Sequence, residues 1–302
     1  MPLVQTLLDR EKIAEPFLTP ALREMYDGDL HFPAAPPDPP GSSTRAASAR
    51  VEVVERPYVI ANFVATLDGT ASFKLPGASS GSSISAGDGG DRFIMGLLRA
   101  SVDAILVGAH TIHDTSPSAL WVPQDTYPEL RDVFRDYREN VLHQREYPLV
   151  VTVSASGRLD LERAAFRSTE ARTLVLTTAA GEQELTRRGA SRLPSLEVKI
   201  LSATGLIAPA AILELLGSQF GVRRLLHEGG PTLFGEFLAA KAVDEFFLTL
   251  SPQIAGRLPH TIRPGIVEGV EFAPATAPWF DLLTVKQSAA YLYLRYRRKP
   301  AL

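Results

Sequence analysis

The sequence contains 302 residues, and its 31 lysines and arginines against 34 aspartates and glutamates give a net charge of −3. Hydrophobic residues make up 45% and charged residues 22% of the chain, a globular composition that excludes a disordered or fibrous protein. The near-neutral charge disfavours nucleic acid as the main partner, because neutralising phosphates requires a surplus of basic residues. The chain has no cysteine, which excludes disulfides, zinc–thiolate sites, iron–sulfur clusters and cysteine nucleophiles.

The start of the chain shows no targeting signal. Residues 1–17 mix charges of both signs with apolar residues and have no signal-peptide core. No run in the sequence approaches the roughly 18 apolar residues that a membrane-spanning helix needs. We therefore expect a cytoplasmic protein with no membrane partner.

The first fifty residues are predicted to precede the main domain. An N-terminal helical extension is predicted over residues 1–30, where apolar residues recur at roughly helical intervals: Val4, Leu7, Leu8, Ile13 and Leu18. Residues 31–40 contain five of the 23 prolines and precede a Gly/Ser/Ala-rich stretch, so residues 31–50 are predicted to be a linker. The extension is too small to fold alone, so it either packs on the main domain, residues 51–302, or remains mobile.

The main domain alternates compact apolar runs with amphipathic stretches, which is typical of an α/β sheet covered on both faces. Its last three apolar runs have no long helix between them, which indicates antiparallel strands. We therefore predict a mixed, mostly parallel sheet flanked by helices, with antiparallel strands at its C-terminal end. The predicted strands are 58–65, 104–109, 149–154, 173–178, 198–202, 222–228, 245–254, 280–289 and 290–298, and the predicted helices are 91–101, 209–220 and 231–243. The highly charged segment 129–146 is predicted to be a solvated helix or an insertion.

The strongest candidate site is the junction of a strand with a helix at residues 227–235. Glu228, Gly229 and Gly230 follow the strand, and Pro231 stands where a first helical residue belongs. Such a junction leaves N–H groups free at the positive end of a helix, which suits a phosphate. A tight turn with a proline start explains the spacing equally well. Glu228 favours a binding site, because a carboxylate at the exit of a buried strand is costly unless it binds something.

A second junction follows the predicted strand 104–109, where Gly108 ends the strand and Thr111 could offer a hydroxyl to a phosphate or ribose. His110, His113 and Asp114 could suggest a metal site, but no further ligand lies at a recognisable spacing, so we predict none.

Two further segments are weaker candidates. Thr66 and Asp68 lie in an ordinary turn after the first strand of the main domain. A Gly/Ser-rich loop over residues 77–92 precedes a helix, and Ser85 could either cap that helix or bind substrate, with Arg99 aimed at an anionic group. The common nucleotide-binding and hydrolase motifs, G-x-G-x-x-G, the P-loop and G-x-S-x-G, are absent.

Taken together, the junctions resemble the reductase domain of riboflavin biosynthesis, the RibD C-terminal domain family. The resemblance covers residues 57–298 and rests on ATLDG, DRF, LLRASVDAILVGAHTI, LVVTVSASGRLD and LLHEGGPTLFGEFLAAKAVDEFFLTLSPQIAG, in this order. It implies the dihydrofolate reductase-like fold and an NADPH-dependent reductase, often a homodimer. In the family, the ribosyl C1′ of 5-amino-6-(5-phosphoribosylamino)uracil is reduced by direct hydride transfer, which needs no metal.

The resemblance also implies roles for individual residues. Substrate contacts would come from Thr66, Ser85, Arg99, Asp114 and Glu228, with Glu228 and Asp68 as the catalytic candidates. NADPH would be bound by Gly108, Thr111, Ile112, Ser154, Arg158, Thr177, Gly229, Gly230, Pro231, Thr232 and Leu233.

The sequence departs from the family in two places. The zinc deaminase of the bifunctional members needs cysteine ligands and more than the first fifty residues, so we predict no deaminase activity. The family's substrate motif Asp-Asp-Pro-x-Leu-x-x-Arg is replaced by residues 113–121, with Thr115 and Ser116 at the acid pair and no arginine close behind. Reduction of a dihydrofolate-like pterin and non-catalytic NADP(H) binding therefore remain alternatives. A homodimer is expected through the C-terminal strands, where Tyr291, Tyr293 and Arg295 would form an exposed face.

Overall fold

The computed structural model describes residues 2–11, 13, 16–33 and 56–299, which build one ten-stranded sheet flanked by helices. In chain order the strands are β1 (Gln5–Asp9), β2 (Tyr58–Thr66), β3 (Ala104–Gly108), β4 (Leu149–Val153), β5 (Thr173–Thr178), β6 (Leu196–Ser202), β7 (Arg224–His227), β8 (Glu245–Ser251), β9 (Phe280–Ser288) and β10 (Tyr291–Arg298). The helices are α1 (Pro20–Tyr26), α2 (Gly81–Ser85), α3 (Gly89–Ala100), α4 (Ala109–Asp114), α5 (Pro123–Thr126), α6 (Arg131–Asp136), α7 (Ala164–Arg167), α8 (Ala179–Arg187), α9 (Pro209–Phe220) and α10 (Pro231–Ala239).

The sheet has the order β1-β9-β10-β8-β2-β7-β3-β4-β5-β6. All pairings from β8 to β6 are parallel, whereas β1, β9, β10 and β8 pair antiparallel. The predicted mixed sheet, mostly parallel with antiparallel C-terminal strands, is therefore confirmed.

Alternation along the parallel strands fills two cores, one on each face of the sheet. On β3, Ile105 and Val107 belong to one core, and Ala104 and Leu106 belong to the other. All four side chains are fully buried. This explains why the parallel strands appear in the sequence as continuous apolar runs, since each successive side chain points into a different core.

The N-terminal segment packs on the main domain, but its first element is a strand and not the expected helix. Gln5–Asp9 form β1, which pairs with β9, and only Pro20–Tyr26 form a helix. A short segment gains little from isolated helix formation, whereas the edge of β9 offers unpaired N–H and C=O groups. The predicted linker falls mostly outside the described residues, and the division into 1–30, 31–50 and 51–302 stays a prediction.

A buried charge network joins this segment to the C-terminal strands. On β10, Arg295 is fully buried and donates from Nε to Glu245 Oε2 of β8 at 2.7 Å. Glu11 accepts from both Arg295 and Arg297, the latter at 2.6 Å. Since removing one partner of a buried ion pair costs about 3–5 kcal/mol, the network anchors the first residues to the last strand.

The same arrangement corrects the predicted exposed Tyr/Arg face. Tyr293 is 4% exposed and Arg295 is 0% exposed, and only Tyr291 is half-buried. Tyr293 packs against the start of α3, where its hydroxyl donates to Asp88. The face is covered by the chain itself.

The charged segment 129–146 is also more deeply packed than predicted. Phe134 and Tyr137 are fully buried, and Arg138 is 1% exposed. Arg138 donates to the backbone carbonyl of Ala100, the last residue of α3, at 2.9 Å and to that of Val102 at 2.7 Å. This charged segment therefore contains at least three side chains that are buried in the structure, those of Phe134, Tyr137 and Arg138. No helix within the described ranges is long and apolar enough to cross a membrane, and the cytoplasmic location stays a prediction.

Candidate active site

A cavity of about 810 Å³ opens at the carboxyl ends of the parallel strands. It is lined by residues from β2, from the junctions that follow β3, β4 and β7, and from the loop around α2. Ligands in α/β proteins bind outside the carboxyl ends of the strands, because the helix N-termini and the loops converge there.

Two uncapped helix starts meet on one wall of this cavity. Gly108 precedes α4 and Gly230 precedes α10, and neither helix has a side-chain cap. A Cβ added to Gly108 would lie 3.9 Å from the Gly230 nitrogen, and one added to Gly230 would lie 3.3 Å from Thr111 Oγ1. The absence of side chains at both glycines therefore keeps this wall open to a ligand.

The wall suits the phosphates of a dinucleotide. The first N–H groups of a helix have no partner within the helix, and their dipoles favour negative charge. Pro231 at the first turn of α10 removes one N–H, but Thr232 and Leu233 retain theirs, and both residues line the cavity. The residues present thus fit a phosphate-containing cofactor.

Beside this wall, Glu228 forms a buried ion pair with Arg99 of α3. Arg99 donates from Nη2 to Oε2 at 2.7 Å and from Nε to the same oxygen at 3.0 Å. Arg99 is 7% and Glu228 is 8% exposed. The pair holds one carboxylate in a fixed orientation at the exit of β7, and Glu228 lines the cavity.

The remaining contacts of Arg99 fix it in place. Its Nη1 donates to Thr126 Oγ1 at 2.5 Å, and its guanidinium lies 4.9 Å from the ring centre of Trp121. Trp121 has a φ of 59°, a left-handed conformation that bulky residues rarely adopt. Arg99 is therefore directed at Glu228 and does not line the cavity, which differs from its predicted contact with an anionic substrate.

A second carboxyl group, which the sequence did not single out, also lines the cavity. Asp91 lies in the first turn of α3 and hydrogen-bonds the hydroxyls of Ser85 and Thr249. Burial is the main cause that raises the pKa of Asp91, and the carboxylates of Asp88 and Glu228 add to it. The two hydroxyls lower it, and the net result is a pKa of about 6.

The loop after β4 closes another side of the cavity. Ser154 lines it, and Thr177 of β5 donates its hydroxyl to the Ser154 carbonyl at 2.6 Å. Gly157 has a φ of 62°, and a Cβ there would lie 2.0 Å from the Gly181 carbonyl oxygen. Only glycine therefore allows this loop to approach the start of α8 so closely.

The fold and the site agree with the comparisons with known proteins. The RibD C-terminal domain matches residues 57–275. The chain belongs to this family. A 2,5-diamino-6-ribosylamino-4(3H)-pyrimidinone 5′-phosphate reductase of Archaeoglobus fulgidus is 32% identical over 216 residues, which are 70% of this chain and 87% of the relative.

Two solved structures share the fold of this family member. A pyrimidine reductase-like protein of Corynebacterium diphtheriae gives a TM-score of 0.61 at 20% identity, over 80% of this chain and 92% of that one. A bifunctional deaminase/reductase of Thermotoga maritima gives 0.58 at 21% identity, over 81% of this chain. The match spans only 57% of that longer protein. The absence of deaminase activity stays a prediction.

Membership of the RibD C-terminal domain family confirms several predictions made from the sequence. The resemblance to riboflavin-pathway reductases was correct, and the chain is an enzyme, an oxidoreductase of that family. A reductase of this kind uses a nicotinamide cofactor and a small-molecule substrate.

The structure brings most of the predicted site residues to one cavity and leaves six outside its lining. Those that line it are Ser85, Gly108, Thr111, Asp114, Ser154, Glu228, Gly229, Gly230, Pro231, Thr232 and Leu233. Those outside its lining are Thr66, Asp68, Arg99, Ile112, Arg158 and Thr177.

Thr66 and Asp68 hold a turn together. Thr66 is fully buried and donates to Asp68 Oδ1 at 2.5 Å, which lowers the pKa of Asp68 to about 2. The Asp68 carboxylate also accepts from the backbone N–H groups of Ala255 and Gly256. These contacts show a carboxylate that fixes two loops, and the catalytic role of Asp68 remains only a prediction.

Three other predicted residues lie in different surroundings. Ile112 is 2% exposed and packs in the core beneath α4. Arg158 is exposed beside the loop that contains Ser154. Asp114 is paired with Lys74 at 2.8 Å, and both residues line the cavity.

Some residues of the cavity lie on regular elements rather than at glycine junctions, and the sequence did not predict them. Asn62 and Val64 of β2 line the cavity, as does Asp91 on α3. Asn62 could have been predicted, because it is a polar residue within the apolar run YVIANFVA. An amide in a central strand needs a hydrogen-bond partner or a ligand.

Proposed function

We propose that the protein reduces the ribosyl group of a ribosylaminopyrimidine 5′-phosphate, with NADPH as the reductant. The observation that carries this proposal is the buried Arg99–Glu228 pair beside the uncapped glycine wall, in one cavity. The wall supports a dinucleotide, and the fixed carboxylate supports an aminopyrimidine, whose N–H groups a carboxylate accepts.

The cofactor would be bound mainly by Gly108, Thr111 and the residues from Gly230 to Leu233. When bound, a reduced nicotinamide supplies two electrons and a hydrogen to an electrophilic carbon. Arg158, exposed beside the Ser154 loop, is the candidate partner for the additional phosphate that distinguishes NADPH from NADH.

Within the substrate class, the relative's name favours 2,5-diamino-6-ribosylamino-4(3H)-pyrimidinone 5′-phosphate over the deaminated uracil that the sequence suggested. Glu228 would orient the ring by accepting from an amino group, because Arg99 leaves it no freedom to rotate. The substrate's ribosyl carbon would then lie between Glu228 and the cofactor wall.

Turnover with each candidate substrate tests the proposal. Loss of reduced-nicotinamide absorbance, with mass spectrometry of the product, is measured for the diaminopyrimidinone, the uracil and dihydrofolate. We expect a product two hydrogens heavier from the diaminopyrimidinone and a preference for NADPH over NADH. Cofactor binding without turnover of any of the three would support the non-catalytic alternative, and turnover of dihydrofolate alone would support the pterin alternative.

A pair of variants links activity to the site. Glu228→Gln keeps the shape of the side chain but removes its charge, and we expect a fall in kcat/KM of about 10²-fold or more for the loss of a charged orienting group. Glu214→Gln, on the exposed side of α9, is the matched control and should behave as the wild type.

We also propose a homodimer, formed through the second face of the C-terminal strands. Half-buried apolar side chains make this face, opposite the covered Tyr293 and Arg295: Leu248, Val285, Leu292, Leu294 and Tyr296. A second copy would cover it isologously. Light scattering should show a dimer for the wild type and for Leu7→Glu, which changes an already exposed leucine of β1, but a monomer for Leu294→Glu. A monomeric wild type would refute the dimer.

A further inference from the structure

Within the part of the chain that the structure describes, five carboxyl groups line the cavity, those of Asp91, Asp114, Glu228, Glu236 and Glu268. The surroundings of Glu228 and Asp91 differ. Glu228 receives three hydrogen bonds from the Arg99 guanidinium, at 2.7–3.2 Å. The guanidinium contacts both oxygens of this carboxylate and fixes its orientation. Glu228 is therefore suited to orient a ligand.

Asp91 has no such partner. Within the described parts of the chain, no lysine, arginine or histidine forms an ion pair with it. The helix α3 carries two arginines. Arg92 donates to the Thr126 carbonyl at 3.1 Å, and Arg99 pairs with Glu228. The Asp91 carboxyl is thus left among neutral and negative groups.

The groups that face Asp91 come from five elements. Its own helix contributes the Asp88 carboxylate at the N-cap, α2 contributes the Ser85 hydroxyl, and β8 contributes the Thr249 hydroxyl. The junction after β7 contributes the Glu228 carboxylate. From β10, Tyr293 is also coupled to Asp91, but its hydroxyl donates to Asp88. Two carboxylates and desolvation oppose two hydroxyl donors, and the pKa of Asp91 is raised to about 6.

From this arrangement we infer that Asp91 is the proton donor of the reduction, while Glu228 is the fixed anion that orients the substrate. The inference rests on the proposed function. Pairs of carboxyl groups whose environments separate their proton affinities divide acid and orienting roles in this way.

The step balances with the reductant already proposed. The ribosyl C1′ gains a hydrogen together with an electron pair, and the bond from C1′ to the ring oxygen breaks. The electron pair of that bond stays on the oxygen, which takes the proton from the Asp91 carboxyl. Asp91 is left as a carboxylate and regains a proton from water that enters the cavity after product release.

The first test measures the proton on Asp91 without turnover. Carbon-13 NMR of aspartate-labelled protein should show one carboxyl signal that titrates near pH 6 in the wild type and is missing in Asp91→Asn. Thr249→Val removes a hydroxyl that stabilises the ionised form, so this titration should move to higher pH by about half a unit.

The second test measures the pH dependence of turnover. We expect kcat of the wild type to fall as pH rises above about 6, in step with the NMR titration. Asp91→Asn should lower kcat by about 10²–10⁴-fold and flatten this limb, with the Kd for NADPH unchanged. Thr249→Val should move the fall of kcat to higher pH. Glu228→Gln should raise KM but should still show a fall of kcat as pH rises.

Four outcomes would overturn the inference. If Asp91→Asn keeps the fall of kcat above about pH 6 that the wild type shows, Asp91 is not the proton donor, although the proposed function still stands. An NMR titration of Asp91 below pH 5 would lead to the same conclusion. A wild type that reduces no ribosylaminopyrimidine refutes the proposed function, and the inference with it. A Thr249→Val variant that shifts the NMR titration but not the activity limb also contradicts it, and this variant decides the matter even if Asp91→Asn does not fold.

Discussion

The histidine that ends β7 should make the protein sensitive to mild acid. His227 is fully buried, and its ring packs against Phe63, Phe234 and Phe237 with centroid distances of 4.8–6.5 Å. Neither ring nitrogen has a well-aligned hydrogen-bond partner among the described residues. Burial lowers the pKa of His227 from 6.5 to about 4, because the charged form loses its hydration.

The sign and size of the effect follow from linkage. Between pH 6.5 and 4 the unfolded chain binds a proton at residue 227 that the folded chain does not, so the free energy of unfolding falls as pH falls. The difference between the two pKa values corresponds to about 3 kcal/mol, at about 1.4 kcal/mol for each pH unit. Asp91 acts in the opposite direction, since its folded pKa of about 6 lies above 3.8 and stability rises as pH falls through that window.

The perturbation is His227→Leu, which is apolar and close to histidine in volume. Urea unfolding is measured from pH 7.5 to 4 for this variant, the wild type and His260→Gln, which changes an exposed histidine. The contribution of Asp91 cancels in the comparison, so the variant should gain about 3 kcal/mol relative to the wild type as pH falls from 7 to 4. If the free energies of unfolding of His227→Leu and the wild type change in parallel with pH, the prediction that His227 is buried in its neutral form is refuted.

Further predictions concern the groups that hold the site. Arg99→Met should lower the free energy of unfolding by about 3–5 kcal/mol, because it leaves Glu228 buried and unpaired, and adding Glu228→Gln should restore much of the loss in urea unfolding. Gly157→Ala should cost more than about 2 kcal/mol and weaken NADPH binding by calorimetry, whereas Gly221→Ala, with similar φ but open space, should cost only about 1 kcal/mol. Arg138→Met should lower Tm, because it leaves backbone carbonyls at and just after the end of α3 without donors, and an unchanged Tm would contradict that role.

The parallel half of the fold could be predicted from the sequence because its information is local. Each strand buried on both faces is a continuous apolar run, and several helix starts carry a glycine or proline, as at Gly108, Pro209 and Pro231. The glycine junctions at Gly108 and Gly230 do line the cavity, and the binding of a cofactor there stays a prediction.

The predictions from the sequence were wrong or incomplete where the structure depends on contacts between residues that are far apart in the chain. β1 is a strand only because β9 lies beside it, and Arg295 is buried only because Glu11 and Glu245 surround it. The pairing of Arg99 with Glu228 joins residues 129 positions apart, and no local pattern marks it. Asp91 was not predicted for the same reason, since its neighbours come from five elements.

The pairing of β1 with β9 has a consequence for how the molecule is made. During synthesis, the first strand has no partner until nearly all of the chain has been produced, because β9 ends only at Ser288. Contacts of such large sequence separation form slowly, so the closing of this edge of the sheet should be a late event in folding. A shortened chain that begins at residue 57, where the family match starts, would lack that closing strand and would expose Lys286 and Arg295, both now buried. The sheet therefore extends beyond the residues that the family model matches, at both ends of the chain.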